Sequence, residues 1–82
     1  MENNAIVVST LDRLLNVLEA RSHIRIFEKT EDGSEMRFSG TVMQALVDES
    51  TNRRLKKYLD RTVVSLWVYT TDTTILVEKA VV

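Results

Sequence analysis

Proline is absent from this chain, and glycine occurs only at Gly33 and Gly40. At the usual frequencies of about 5% and 7%, its 82 residues would hold roughly four prolines and six glycines. Loops must therefore be few and short, and helix ends must be set by Ser, Thr, Asp and Asn side chains. A chain with so little loop has scant material for walling a pocket and is better suited to binding through the faces of its elements. The length allows one domain, spanning residues 1–82. With 44% hydrophobic and 28% charged residues and a formal charge of −1, the composition is that of a globular domain rather than a disordered segment. The absence of cysteine excludes disulfides and thiolate metal sites.

Ser9 and Asp12 have the spacing of a capping box, and Leu11, Leu14, Leu15 and Leu18 follow at i, i+3, i+4 and i+7. This predicts a helix over residues 10–20. His23 to Lys29 alternates and predicts a strand; Asp32-Gly33 supplies a turn, and Glu35 to Ser39 returns as the second strand of a hairpin. Thr41 and Gln44 form a second capping box ahead of a short helix. The polar run Asp48 to Asn52 interrupts the pattern, and Arg53 to Leu59 resumes it, as a further short helix or as one bent helix. Thr62 to Thr70 is the strongest strand signal, Thr71 to Thr73 a turn, and Thr74 to Lys79 the returning strand. The expected fold is α+β: an antiparallel four-stranded sheet of two hairpins with two or three helices on one face, in the order α-β-β-α(α)-β-β. Residues 1–8 read as a short edge strand or as flexible chain.

Parity separates the two sheet faces. Ile24, Ile26, Val64, Leu66 and Val68, joined by Met36 and Phe38 if the register allows, form the apolar set expected to meet the helices. The opposite parity holds His23, Arg25, Phe27 and Lys29 with Val63, Ser65, Trp67 and Tyr69. Large aromatics on an outward face suggest a covered surface, so Phe27, Trp67, Tyr69 and Arg25 form the first candidate contact site. A shift of register by one, or an N-terminal segment folded over this face, would make the same aromatics core.

Arg53, Arg54, Lys56 and Lys57, followed by Arg61, form the one concentrated basic stretch. With Arg25, Arg37 and Trp67 they could contact phosphates and stack on bases. The slightly acidic overall balance argues against nucleic acid, and a patch of this size fits an acidic protein surface equally well. Glu28, Glu31, Asp32 and Glu35 cluster about Gly33 as an acidic hairpin tip, a shape that could enter a basic groove.

Catalytic constellations are missing. The one histidine, His23, has no nucleophile motif or metal-ligand spacing around it, and the acid pairs Glu31-Asp32 and Asp48-Glu49 fall in expected turns, where carboxyl groups stay solvated. The two glycines are not placed for a phosphate loop. No enzyme activity, metal or cofactor is expected. The start of the chain has no basic region or long apolar run of the kind found in a signal peptide, and no stretch approaches the ~20 apolar residues of a membrane span. An intracellular setting is expected, with no membrane partner.

At Thr10 to Leu15, Ile24 to Phe27, Phe38 to Thr41 and above all Leu59 to Val68, the chain resembles a group of small uncharacterised proteins carried by phages and prophages of Gram-positive bacteria. The resemblance covers most of the chain but consists of leucine, strand and turn chemistry. It implies an accessory protein in the cytoplasm of a bacterial host, of a kind often made of binders, some of which block host defence enzymes such as CRISPR effector nucleases. The expected function is therefore a non-enzymatic protein-interaction module that occupies a surface of a larger protein, with a nucleic-acid binder as the alternative. A domain this small buries only about 60–65% of its unfolded surface, so a homodimer is the natural supplement to its core.

Overall fold

The computed structural model describes residues 10–69 and 72–78. The expected N-terminal strand over residues 1–8, Ser9 of the first capping box, and Thr70 and Thr71 near the second turn lie outside the described residues. Helix α1 (Leu11–Val17) begins at Thr10, whose hydroxyl accepts the Arg13 backbone N–H at 3.4 Å. It is shorter than its leucine pattern suggested: Leu18 is already extended, so the pattern outlasts the helix. Strands β1 (His23–Thr30) and β2 (Gly33–Thr41) form the first hairpin. At its turn Gly33 adopts φ +145°, a conformation open to glycine and strained for other residues.

Helix α2 (Val42–Val47) opens on the expected capping box. The Gln44 N–H donates to Thr41 Oγ1 at 3.1 Å and the Thr41 N–H donates to Gln44 Oε1 at 2.8 Å. The helical run is two helices rather than one bent helix, because Asp48 is extended and serves as C-cap of α2 and N-cap of α3 (Glu49–Leu59). Its carboxylate accepts the Thr51 N–H at 3.0 Å and the Thr51 hydroxyl at 2.7 Å. The polar run that read as a break is the first turn of α3. Strands β3 (Val63–Val68) and β4 (Thr73–Val77) complete the chain's described elements.

The fold is α+β, with three helices and a four-stranded sheet among the described residues. The sheet is mixed, however, and not the purely antiparallel one that two hairpins suggested. Its order is β2-β1-β4-β3: both hairpins are antiparallel, but they join through parallel pairing of β1 with β4. The last strand, not β3, thus occupies the interior of the sheet.

Core and burial follow from that order. Leu11 and Leu15 of α1, Val42 and Ala45 of α2, and Leu55 and Tyr58 of α3 pack with Ile24 and Ile26 of β1 and Ile75 and Val77 of β4. Each of these strands buries alternate residues, so the helices cover one face of the sheet. Val64, Leu66 and Val68, expected in the core, are 41%, 43% and 72% exposed, because β3 is the marginal strand of the sheet among the described residues. A bulge at Val63–Ser65 turns Val63 toward the core instead. A second bulge sets Ile26 opposite Phe38 but Phe27 opposite Met36, leaving Arg37 as the extra residue. Phe38 keeps its expected place against the core, whereas Met36 is shifted to the other face and is 54% exposed.

Candidate functional site

On the face away from the helices, the register aligns two rows of side chains. One runs Ser39, Arg25, Thr74, Trp67 across β2, β1, β4 and β3; the other runs Met36, Phe27, Leu76, Ser65. The second row is an apolar stripe three strands wide, with Trp67 next to its end. Phe27 and Leu76 are half-buried by their neighbours, while Trp67 is 45% exposed. Among the described residues no element lies over this face. Of the expected contact residues, Arg25, Phe27 and Trp67 share it, with Arg25 held by an ion pair to Asp72 at 3.0 Å. Tyr69, just past the end of β3, is 58% exposed, and its N–H donates to the Asp72 carbonyl in the hairpin turn at 2.8 Å. Met36 was expected on the core side if the register allowed, and Leu76 was not singled out from sequence. Met36 required knowledge of the bulge, and Leu76 required the pairing partner of β4.

The outer edge of β3 adjoins this face. Val64, Leu66, Trp67, Val68 and Tyr69 are all exposed, by 41% to 72%. Edge strands are ordinarily guarded by charge, proline or a covering element. Positions 62–71 carry no charge at all. At the start of the strand an isolated bridge joins Thr10 to Thr62, and the Leu11 N–H donates to the Arg61 carbonyl at 3.0 Å. Beyond Thr62, β3 pairs with β4 alone among the described residues.

The basic stretch stands elsewhere. Arg53, Arg54, Lys56 and Lys57 are exposed on α3, which turns Leu55 and Tyr58 into the core. Arg53 and Lys56 stand with Leu46 and Val47 of α2 on the helical side, away from the Arg25/Trp67 face, whereas Arg54 lines an open cleft with Met36, Phe38 and Ser39 at the β2 edge. Arg61 leaves the basic group entirely: it pairs with Glu28 and stacks over the Tyr58 ring at 4.6 Å.

The acidic tip is also divided. Glu31, Asp32 and Glu35 are exposed near the turn, with Glu35 at 3.5 Å from Arg37. Glu28 is not at the tip surface; it is 8% exposed, on the helix-facing parity of β1, where Arg37 Nε donates to it at 2.8 Å and Arg61 binds its other oxygen. Burial pushes its carboxyl up, but the hydrogen bonds from Arg61 and Arg37, with their charges, outweigh this and hold it below its ordinary value. The hydrogen bond to Glu28 in turn raises Arg37. Asp48 is lowered by the side-chain and backbone hydrogen bonds of Thr51, as befits a helix cap.

His23 is exposed at the start of β1, beside an open cleft of about 530 Å³ formed by Val17, Leu18, Val68 and Tyr69. Among the described residues no group of three or more His, Cys, Asp or Glu side chains is arranged to hold a metal ion. No helix of the described residues is long and apolar enough to cross a membrane. No family profile, curated protein or solved structure matches the chain.

Proposed function

We propose that the protein is a non-enzymatic interaction module that lays the open face of its sheet against a larger protein. The observation that carries this reading is the apolar row Met36, Phe27, Leu76 with Trp67 beside it, on a face that no described element covers. Contiguous apolar patches are uncommon on the free surface of a monomer, and Trp and Met are favoured where proteins meet. Arg25, fixed by Asp72, gives the face a positioned cation for orienting a partner.

In the phage setting that the resemblance implies, the partner class to test is a host defence nuclease such as a CRISPR effector. Purified protein is used as bait in host lysate, alongside Met36→Lys and Trp67→Ser. The same captured protein should be lost with both variants, and its binding should shift Trp67 emission to the blue. Capture that is indifferent to both substitutions overturns the reading. If the captured protein is a nuclease that the module inhibits, Glu31→Lys with Asp32→Lys separates the two contact sites: inhibition that survives the double substitution leaves the acidic tip outside the contact.

A further inference from the structure

We propose that the cleft at the outer edge of β2 receives an acidic side chain of the protein that the open face contacts. The inference rests on the proposed function and deepens it by giving the partner's segment a chemistry: a carboxylate next to an apolar residue.

The cleft adjoins the open face. Ser39 and Met36, the β2 members of the two cross-strand rows, both line a cavity of about 400 Å³, walled on its other side by Gln44 of α2 and Arg54 of α3. β2 ends the sheet here, and among the described residues no strand pairs with its outer side.

Charge and hydrogen-bonding capacity both select an anion. Two arginines line the cavity, and no carboxylate does. Arg37 is committed, since it pairs with Glu28 at 2.8 Å and reaches Glu35 at 3.5 Å. Arg54 has no ion pair or hydrogen bond among the described residues, whereas the neighbouring Arg53 pairs with Glu49 at 3.8 Å. The capping box fixes what Gln44 can offer: its Oε1 is taken by the Thr41 N–H at 2.8 Å, which leaves the Nε2 hydrogens as the free part of the amide. Ser39 keeps a hydroxyl with no partner among the described residues. A guanidinium, an amide donor and a hydroxyl thus line one opening. A carboxylate can accept from all three, and a guanidinium matches it with two parallel hydrogen bonds.

Met36 sets the neighbouring position. It lines the same cavity and stands 54% exposed, so the residue beside the acid gains most by being apolar. The charge pair stays partly in water, which keeps its energy modest and makes its main effect the orientation of the bound segment.

A nitrogen-15 NMR titration of the full chain with a capped tetrapeptide of alternating glutamate and leucine tests this. The amides of Ser39, Gln44 and Arg54 should move together and saturate, and the same peptide with lysine for glutamate should move none of them. Arg54→Gln should keep the circular dichroism spectrum and weaken the peptide about fivefold, and Arg54→Glu should abolish binding. Arg53→Gln, at a position in a different cleft with Leu46 and Val47, should bind like wild type. An acidic peptide that moves no amide at millimolar concentration, that binds Arg54→Gln as tightly as wild type, or that binds no better than its lysine counterpart overturns the inference. A single-stranded oligonucleotide that displaces the peptide overturns it as well. Trp67 lies three strands from the cleft, so its substitution tests the functional reading by itself. Capture lost with Trp67→Ser while no peptide binds at Arg54 defeats the cleft alone. Peptide binding that needs Arg54, with capture indifferent to Trp67→Ser and Met36→Lys, defeats the functional reading alone.

Discussion

Replacing Glu28 with glutamine should cost the domain much of its stability at neutral pH and almost none at low pH. The side chain sits on central strand β1, 8% exposed, between Arg37 in the β2 bulge and Arg61 after α3. Removing one partner of a fully buried ion pair costs ~3–5 kcal/mol, and a single hydrogen bond to a charged group is worth ~1.5–3 kcal/mol. Here the full penalty is not reached. The Arg37 and Arg61 side chains are 31% and 15% exposed, so the orphaned cations recover part of their hydration. Glutamine also retains a carbonyl oxygen that can accept one N–H. The loss at neutral pH is thus roughly 2 kcal/mol, which in a domain of this size lowers the melting temperature by ~8–16 °C.

The pH dependence follows from the lowered carboxyl pKa. A carboxyl depressed in the folded state stabilises the protein above its unfolded value, ordinarily 4.5, and that stabilisation is lost as pH falls through the folded value. The difference between wild type and Glu28→Gln should therefore be full at neutral pH, narrow below 4.5, and close once the native carboxyl is protonated. Urea unfolding of both proteins over that range, with equal m-values, measures the difference directly. A difference that stays constant with pH would show that the variant disturbs packing rather than charge, and no difference at neutral pH would remove Glu28 from any structural role.

Gly40→Ala should destabilise the start of α2 by about 1 kcal/mol in thermal unfolding, the worth of a helix cap. Its Cβ would lie 2.6 Å from Gln44 Oε1 and 2.8 Å from Phe38 Cζ, so the glutamine must swing away from the Thr41 N–H it now accepts. Reversing charge at Arg53 and Lys56 should leave partner capture unchanged, since α3 and the open face lie on opposite sides of the sheet. Random single- and double-stranded oligonucleotides should show no retarded complex at low salt; a complex abolished by the charge reversal would restore the nucleic-acid reading.

Local chemistry was legible in the sequence, and pairing was not. The Thr41/Gln44 box could be read because both of its hydrogen bonds close within three residues of chain. The parity of β1 could be read because polar and apolar residues alternate there, and Ile24 and Ile26 are indeed fully buried while Arg25 is exposed. Placement of β4 between β1 and β3 depends on contacts fifty residues apart in the chain, for which alternation carries no signal. The bulge at Arg37 was equally hidden, and a single inserted residue was enough to move Met36 across the sheet. Glu28 illustrates the same limit: its neighbours in sequence placed it in an acidic tip, whereas its partners in space are two arginines.

The error about β3 has its own physical content. Parity placed Val64, Leu66 and Val68 against the helices, but alternation says nothing of whether a strand lies inside the sheet or at its margin. The fold assigns the interior to β4, whose Ile75 and Val77 are fully buried, and sends the more hydrophobic strand to the margin with four of its six side chains exposed. An edge strand that only had to close the sheet could carry lysine or glutamate at Val64 or Val68 without loss to the core, since neither side chain belongs to it. Keeping both positions apolar leaves this strand without the charges that ordinarily guard a sheet edge. Among the described residues the apolar side chains of β3 outside the core are thus surface left to be covered, and Trp67, standing beside the Met36, Phe27, Leu76 row, joins that margin to the open face proposed for contact.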